Sequence, residues 1–233
     1  MYKGKKILAI VPARGGSKGI KNKNLIKIKG KSLIRITTEV LKKVKIIDKM
    51  ILSSDHPSII KEGKKFGLEV HFTRPQNISG DKVGDTPVIL HAINSLEKKK
   101  LFFDIILLIQ VTSPIRSAKN IVDCIHKLVD YDYDSVFTIS KIDEKYHPLK
   151  QFSINGKKVK YYNIKGKKII RRQDLKPTYI RNGICYSFTT NCIKKQKDKI
   201  GKKSSFILID NDFVNIDTKE DLIKLNKITK LPI

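Results

Sequence analysis

Apolar and polar positions along the chain fall into two alternating periods. Residues 6–11 form a short apolar run, as expected of a strand buried on both faces. Leu33, Thr37, Val40, Leu41 and Val44 then recur at helical spacing, and residues 50–53 predict a second strand ending at Ser54-Asp55. A helix is predicted over 57–66, with Pro57 in its first turn and Gly67 just past its end. A third strand is expected at 68–72. Asp85-Thr86-Pro87 reads as a cap followed by proline at the first helical position, opening a helix to about Lys98. Residues 105–111 are the most apolar run and predict a central strand. Residues 118–129 are helical in period, and 135–140 form a further strand.

This strand–helix alternation predicts an α/β fold: a mainly parallel sheet with right-handed crossovers and helices on both faces. The pattern changes after residue 140. Residues 151–162 alternate around Asn155-Gly156, a hairpin signal. The chain therefore reads as one domain over 1–233, with 141–187 as a small β-containing excursion. It returns to the sheet through strands at 206–209 and 213–216, and ends in a helix from Lys219.

Composition narrows the class. The 233 residues are 40% hydrophobic and 30% charged, as in soluble globular chains. No apolar run approaches the ~20 residues that span a bilayer. The basic start precedes too short an apolar stretch for a secretory signal, so the expected location is the cytoplasm. Cys124, Cys185 and Cys192 lack Cys-x-x-Cys spacing, which argues against a disulfide framework and a cysteine zinc site.

Net charge is +27, carried by 42 Lys and only seven Arg. Such a charge draws polyanions, with nucleic acid the first suspect. The lysines, however, are scattered, without the aromatic interleaving that stacks bases. Two other readings remain open at this level. One is a lysine-biased solvated surface, and the other a cleft that collects a small, multiply charged anion.

The segment after the first strand favours the cleft. In Val11-Pro-Ala-Arg-Gly-Gly-Ser-Lys-Gly-Ile-Lys-Asn-Lys-Asn24, Gly15, Gly16 and Gly19 let a backbone approach an anion, while Arg14, Lys18 and Lys23 supply charge. The spacing is neither Gly-x-Gly-x-x-Gly nor Gly-x-x-x-x-Gly-Lys-Ser/Thr, which disfavours dinucleotide-binding and P-loop ATPase folds. A mobile basic loop is the bland alternative.

This loop resembles the signature of the CMP-nonulosonate synthetases, which include the acylneuraminate and legionaminate cytidylyltransferases. Seven more segments continue the resemblance in order: Leu52-Ser-Ser-Asp55, Arg74-Pro75, Ser79-Gly-Asp81, Leu108-Ile-Gln-Val-Thr-Ser-Pro-Ile-Arg116, His147-Pro-Leu-Lys150, Arg181-Asn-Gly-Ile-Cys-Tyr186 and Asn215-Ile-Asp-Thr218. The resemblance implies a nucleotide-binding, Rossmann-like sheet, CTP as donor, Mg²⁺ as cofactor with Mn²⁺ as substitute, and a homodimer that swaps the 141–187 excursion. It gives Arg14, Lys23 and Asn24 the triphosphate and ribose, with Gly15, Gly16, Ser17 and Lys18 completing the loop. Arg74 and Asp81 would lie near the cytosine and ribose; a surface cation and a turn or cap carboxylate are their ordinary readings.

By the same resemblance Gln110 meets the sugar acid, and Gln-x-Thr-Ser-Pro separates nonulosonate from octulosonate enzymes. Lys150 and Arg172 would reach sugar or phosphate from the excursion, and arginine's fork suits a carboxylate. The sugar's substituents would be read by the excursion and by residues near 186–188. Asp217 is implied as a Mg²⁺ ligand, which suits a hard oxygen. It is equally well placed to cap the last helix. Relatives often carry Asp-x-Asp where this chain reads Asn215-Ile216-Asp217. Asn215 offers an oxygen without the charge, which implies metal binding that is either weaker or shared with nucleotide phosphates and waters. Among the histidines only His147 falls in a shared segment, where it is expected to shape a turn.

The reading is a cytidylyltransferase joining CMP to a nine-carbon 2-keto sugar acid of sialic or legionaminic type, releasing pyrophosphate. Arg14, Lys23 and Asp217 are its expected catalytic groups. CTP and a nonulosonic acid are its partners, with neither nucleic acid nor membrane. The alternatives are a pseudaminate or octulosonate enzyme, a nucleotide-binding relative without catalysis, and a basic nucleic-acid-binding protein.

Overall fold

The computed structural model describes residues 1–17, 19–196, 199–210 and 213–227. Strand β1 (Ile7–Pro12) is apolar and buried except at its last residue. A short antiparallel pair, β2 (Lys27–Ile28) and β3 (Lys31–Ser32), leads into helix α1 (Leu33–Lys42). The Ser32 hydroxyl accepts the Arg35 amide at 3.1 Å, so the helix begins at a satisfied cap. Then follow β4 (Lys49–Ser53), α2 (Pro57–Phe66), α3 (Asp85–Glu97), β5 (Ile105–Leu108), α4 (Ala118–Asp130) and β6 (Ser135–Lys141). The hairpin is β7 (Phe152–Asn155) and β8 (Lys158–Tyr161). Finally come β9 (Tyr179–Thr189), β10 (Ser204–Leu208) and α5 (Lys219–Lys227).

Six strands form the main sheet in the order β10-β6-β9-β5-β1-β4. β1 runs parallel to both neighbours, with Ala9 opposite Met50 in β4 and Leu107 in β5. β9 returns antiparallel to β5, pairing Tyr186 with Leu108. The fold is thus α/β with a mixed sheet. β1 and β5 are apolar on both faces because helices cover both, and apolar faces of α1, α3 and α4 are buried in the same core.

Two compact units make up the chain. The first comprises Met1–Thr138, Asn182–Ile207 and Asp212–Ile233; the second comprises Ile139–Arg181 and Leu208–Asn211. The second unit contains the hairpin, in register Asn155 to Lys158, with the turn at Gly156-Lys157. The run from Asn182 to Phe188 belongs to the first unit because its side chains are core.

Several local expectations are corrected. No strand forms at 68–72. A single bridge joins Glu69 to Ile51: the Glu69 amide donates to the Met50 carbonyl at 2.9 Å and its carbonyl accepts the Leu52 amide at 2.8 Å, and the pairing goes no further. Residues 213–216 form no strand; the Ile216 amide donates to the carbonyl of Thr112, in a loop, at 2.8 Å. Gly84, not Asp85, occupies the cap of α3, and the Asp85 carboxylate instead pairs with Lys199 at 2.7 Å.

Candidate active site

Three parallel strands bring their carboxyl ends to one edge of the sheet: β1 at Pro12, β4 at Ser53 and β5 at Leu108. Ligands of open parallel sheets bind at this edge. A cleft of about 280 Å³ opens there, built from first-unit residues. Arg14, Ser17, Lys23 and Asn24 line it after β1, and Gln110 and Thr112 after β5. Arg74 and Asp85 enter from the segment before and at the start of α3, Asn215 and Asp217 from the segment before α5.

The glycine loop is tied down by its neighbours. The Gly15 amide donates to the Asp55 carboxylate at 2.8 Å, and the Asn24 amide group donates to the Arg14 carbonyl at 2.9 Å. A Cβ on Gly15 would stand 2.9 Å from the His56 ring. Gly16 adopts φ +62°. Lys18 lies outside the described residues. Arg14 forms an ion pair with Asp81 and donates to the Gly16 carbonyl at 3.3 Å, so Asp81 meets the cleft through Arg14.

Arg74 is buried, its Nε donating to the Ser53 hydroxyl at 3.1 Å and Nη2 to the Ser53 carbonyl. Burial lowers its pKa to about 10, opposed by the Asp55 and Asp85 carboxylates and reinforced by Arg14. It therefore stays charged at neutral pH, a fixed cation in the wall.

At the other wall Lys23 reaches Asp217 at 2.9 Å. Asp217 does not cap α5. Thr218 does, its hydroxyl accepting the Asp221 amide at 3.3 Å, while Asp221 accepts the amides of Asp217 and Thr218 at 3.0 and 2.9 Å. The Asp217 carboxylate is thereby left for the cleft. Asn215 Oδ1 accepts the Ser113 hydroxyl at 3.4 Å. Asp217 and Asn215 thus offer two hard oxygens, which fits Mg²⁺, an ion that keeps waters and uses one or two protein oxygens beside substrate phosphates. No group of three His, Cys, Asp or Glu fit to hold a metal exists among the described residues.

Lys150 and Arg172 belong to the second unit. There Arg172 pairs with Glu144, and His147 shapes its turn by accepting the Leu149 amide on Nδ1 at 3.1 Å. Tyr186 and Phe188 are core residues packed on Phe137. Sequence reasoning missed Asp55, His56, Asp85 and Ser53 as supports of the site. Asp55 stood in a shared segment, and Asp85 was disguised as a cap.

A mixed sheet with a cationic glycine-loop cleft at the carboxyl ends of its parallel strands defines a nucleotide-binding α/β protein. The chain belongs to the cytidylyltransferase family, whose profile matches residues 8–229. It is similar to the pseudaminic acid cytidylyltransferase of Campylobacter jejuni, at 32% identity over 219 residues and 93% of each chain. It is also similar to the CMP-N,N'-diacetyllegionaminic acid synthase of Legionella pneumophila, at 26% identity over 97% of each chain. In fold it resembles a CMP:2-keto-3-deoxy-manno-octonic acid synthetase solved with CTP, at TM-score 0.71 and 16% identity, covering 95% of this chain and 97% of that one.

Proposed function

We propose that this chain transfers CMP from CTP to a nine-carbon 2-keto sugar acid and releases pyrophosphate. One observation carries the reading: Arg14, Lys23, Asn24, Arg74, Gln110 and Asp217 line a single cleft although up to about two hundred residues separate them in sequence. The anomeric hydroxyl attacks the α-phosphorus in line, a P–O bond forms as the bond to pyrophosphate breaks, and the hydroxyl proton is lost to solvent. Such transfers depend on positioning and neutralised charge. Arg14, Lys23 and the glycine loop bind the triphosphate, Asn24 fixes the loop, Arg74 and Asp81 support the nucleoside side, and Gln110 orients the sugar acid.

Asp217 and Asn215 would hold Mg²⁺, which when bound supplies charge neutralisation at the phosphates and a lowered hydroxyl pKa. The second unit supports a homodimer. Its hairpin exposes Phe152, Ile154, Val159 and Tyr161, an apolar set that a second copy would cover, bringing Lys150 and Arg172 to the partner's substrate. A cytoplasmic location accords with this chemistry. No described helix is long and apolar enough to cross a membrane.

The test is pyrophosphate release from CTP with sialic, legionaminic, pseudaminic and octulosonic acids. The 32% relative named for pseudaminic acid puts that sugar in the panel beside the other nonulosonates. Turnover with a nonulosonate supports the reading. Nucleic-acid binding with a steep salt dependence and no CTP affinity overturns it.

A further inference from the structure

A buried cation without an acid partner needs an explanation. Arg116 is such a cation: it is 1% exposed, and it has no carboxylate partner among the described residues. Its bonds go to main-chain oxygens of one turn. Nε donates to the Ser113 carbonyl at 2.9 Å, and Nη2 to the carbonyls of Ser113 and Gln110, while Nη1 is buried without a partner. The fork clasps the turn 110–113 at both ends, which a lysine's single ammonium does less well.

A second feature converges on the same turn. Gly183 has φ +73°, and a Cβ there would run into the Ser113 hydroxyl and stand 2.5 Å from Gln110 Oε1. Its amide donates to the Tyr186 hydroxyl at 2.8 Å, so the close approach is pinned. The turn is also tied to the far wall, through Ser113 to Asn215 and through Thr112 to the Ile216 amide.

We propose that Arg116 is a positioning residue, which by clasping the Gln110 and Ser113 carbonyls aims the Gln110 side chain into the cleft for the sugar acid, with Gly183 leaving the space that the side chain needs. This rests on the functional reading above, in which Gln110 meets the sugar.

The test is steady-state kinetics with the sugar acid that the wild type accepts, on Gln110→Ala, Arg116→Lys, their double variant, and Gly183→Ala. Arg116→Lys is expected to raise the sugar KM about tenfold or more and to move the CTP KM by no more than about threefold. Combined with Gln110→Ala it should add less than about threefold, because the two act through one group. Gly183→Ala keeps Arg116 and should show the same split, so poor folding of the lysine variant leaves the idea exposed to refutation. Unchanged sugar KM in a folded Arg116→Lys enzyme, additive effects in the cycle, or a CTP KM rising in parallel would overturn the clasp, and unchanged sugar KM in Gly183→Ala would overturn the part given to that glycine. A Gln110→Ala enzyme with normal sugar KM overturns it too, by removing Gln110 from the sugar site. A wild type inactive with every sugar in the panel is a different failure: it sinks the functional reading first, and the inference with it.

Discussion

The Lys23 ammonium stands 2.9 Å from the Asp217 carboxylate, and 194 residues of chain separate the two. Asp217 is 63% exposed, and exposed ion pairs contribute only about 0–1 kcal/mol. The contact is therefore cheap to exchange when a triphosphate arrives for Lys23. Asp217→Ala is expected to lower kcat by about two orders of magnitude at saturating Mg²⁺, with little change in thermal midpoint. Near-normal pyrophosphate release at high Mg²⁺ would remove Asp217 from the reaction.

Gly19 lies against the same wall. A Cβ there would stand 2.6 Å from the Asp217 backbone carbonyl, which cannot swing aside as a side chain does. Gly19→Ala should push the loop off residues 215–218 and weaken CTP binding by about tenfold. Titration calorimetry reads this directly, and an unchanged CTP affinity would contradict it.

Arg74 has a structural duty besides any nucleotide contact. Arg74→Met leaves the buried Ser53 hydroxyl without its donor, and the Ser53 carbonyl with the Ala13 amide alone, a loss of about 1–3 kcal/mol. For a chain of this size that lowers Tm by roughly 3–10 °C. A scan showing no shift would mean that Ser53 finds other donors.

Asp134 ties the 202–203 segment to β6, accepting the amides of Lys203 and Lys202 at 2.9 and 3.0 Å. The Lys203 amide foremost, with Gln196 and the Lys202 amide, holds its carboxyl below the usual carboxylate range against a partial opposing effect of burial. A folded pKa below the unfolded value of about 3.9 gives stability that is complete above that pH and lost as pH falls through the folded pKa. Asp134→Asn should therefore be less stable than wild type in urea at pH 7, and the gap should close as pH drops below about 4. A gap constant from pH 7 to pH 3 would show that ionisation is irrelevant.

What could be read in the sequence was whatever depends on neighbours along the chain. The helix over 57–66 was bounded correctly because Pro57 and Gly67 are local signals, and β1 and β5 were located because apolar runs need no partner to be recognised. The shared segments carried the family and the residues of the glycine loop. The strand expected at 68–72 failed because a strand exists only where a neighbour offers a ladder, and here one bridge forms. The placing of Asp85 and Asp217 as caps failed for a related reason. Several residues near a helix start have suitable side chains, and packing gives the post to Gly84 in one case and Thr218 in the other.

The sequence by itself determined the order of elements, the cationic glycine loop and the family, since each is written in local pattern. Only the tertiary structure decided that Lys23 meets Asp217, that Asp55 takes the Gly15 amide, and that Arg116 and Gly183 close on one turn. Those contacts join residues from different strands and loops, and a mixed sheet brings them together only when its strand order is set.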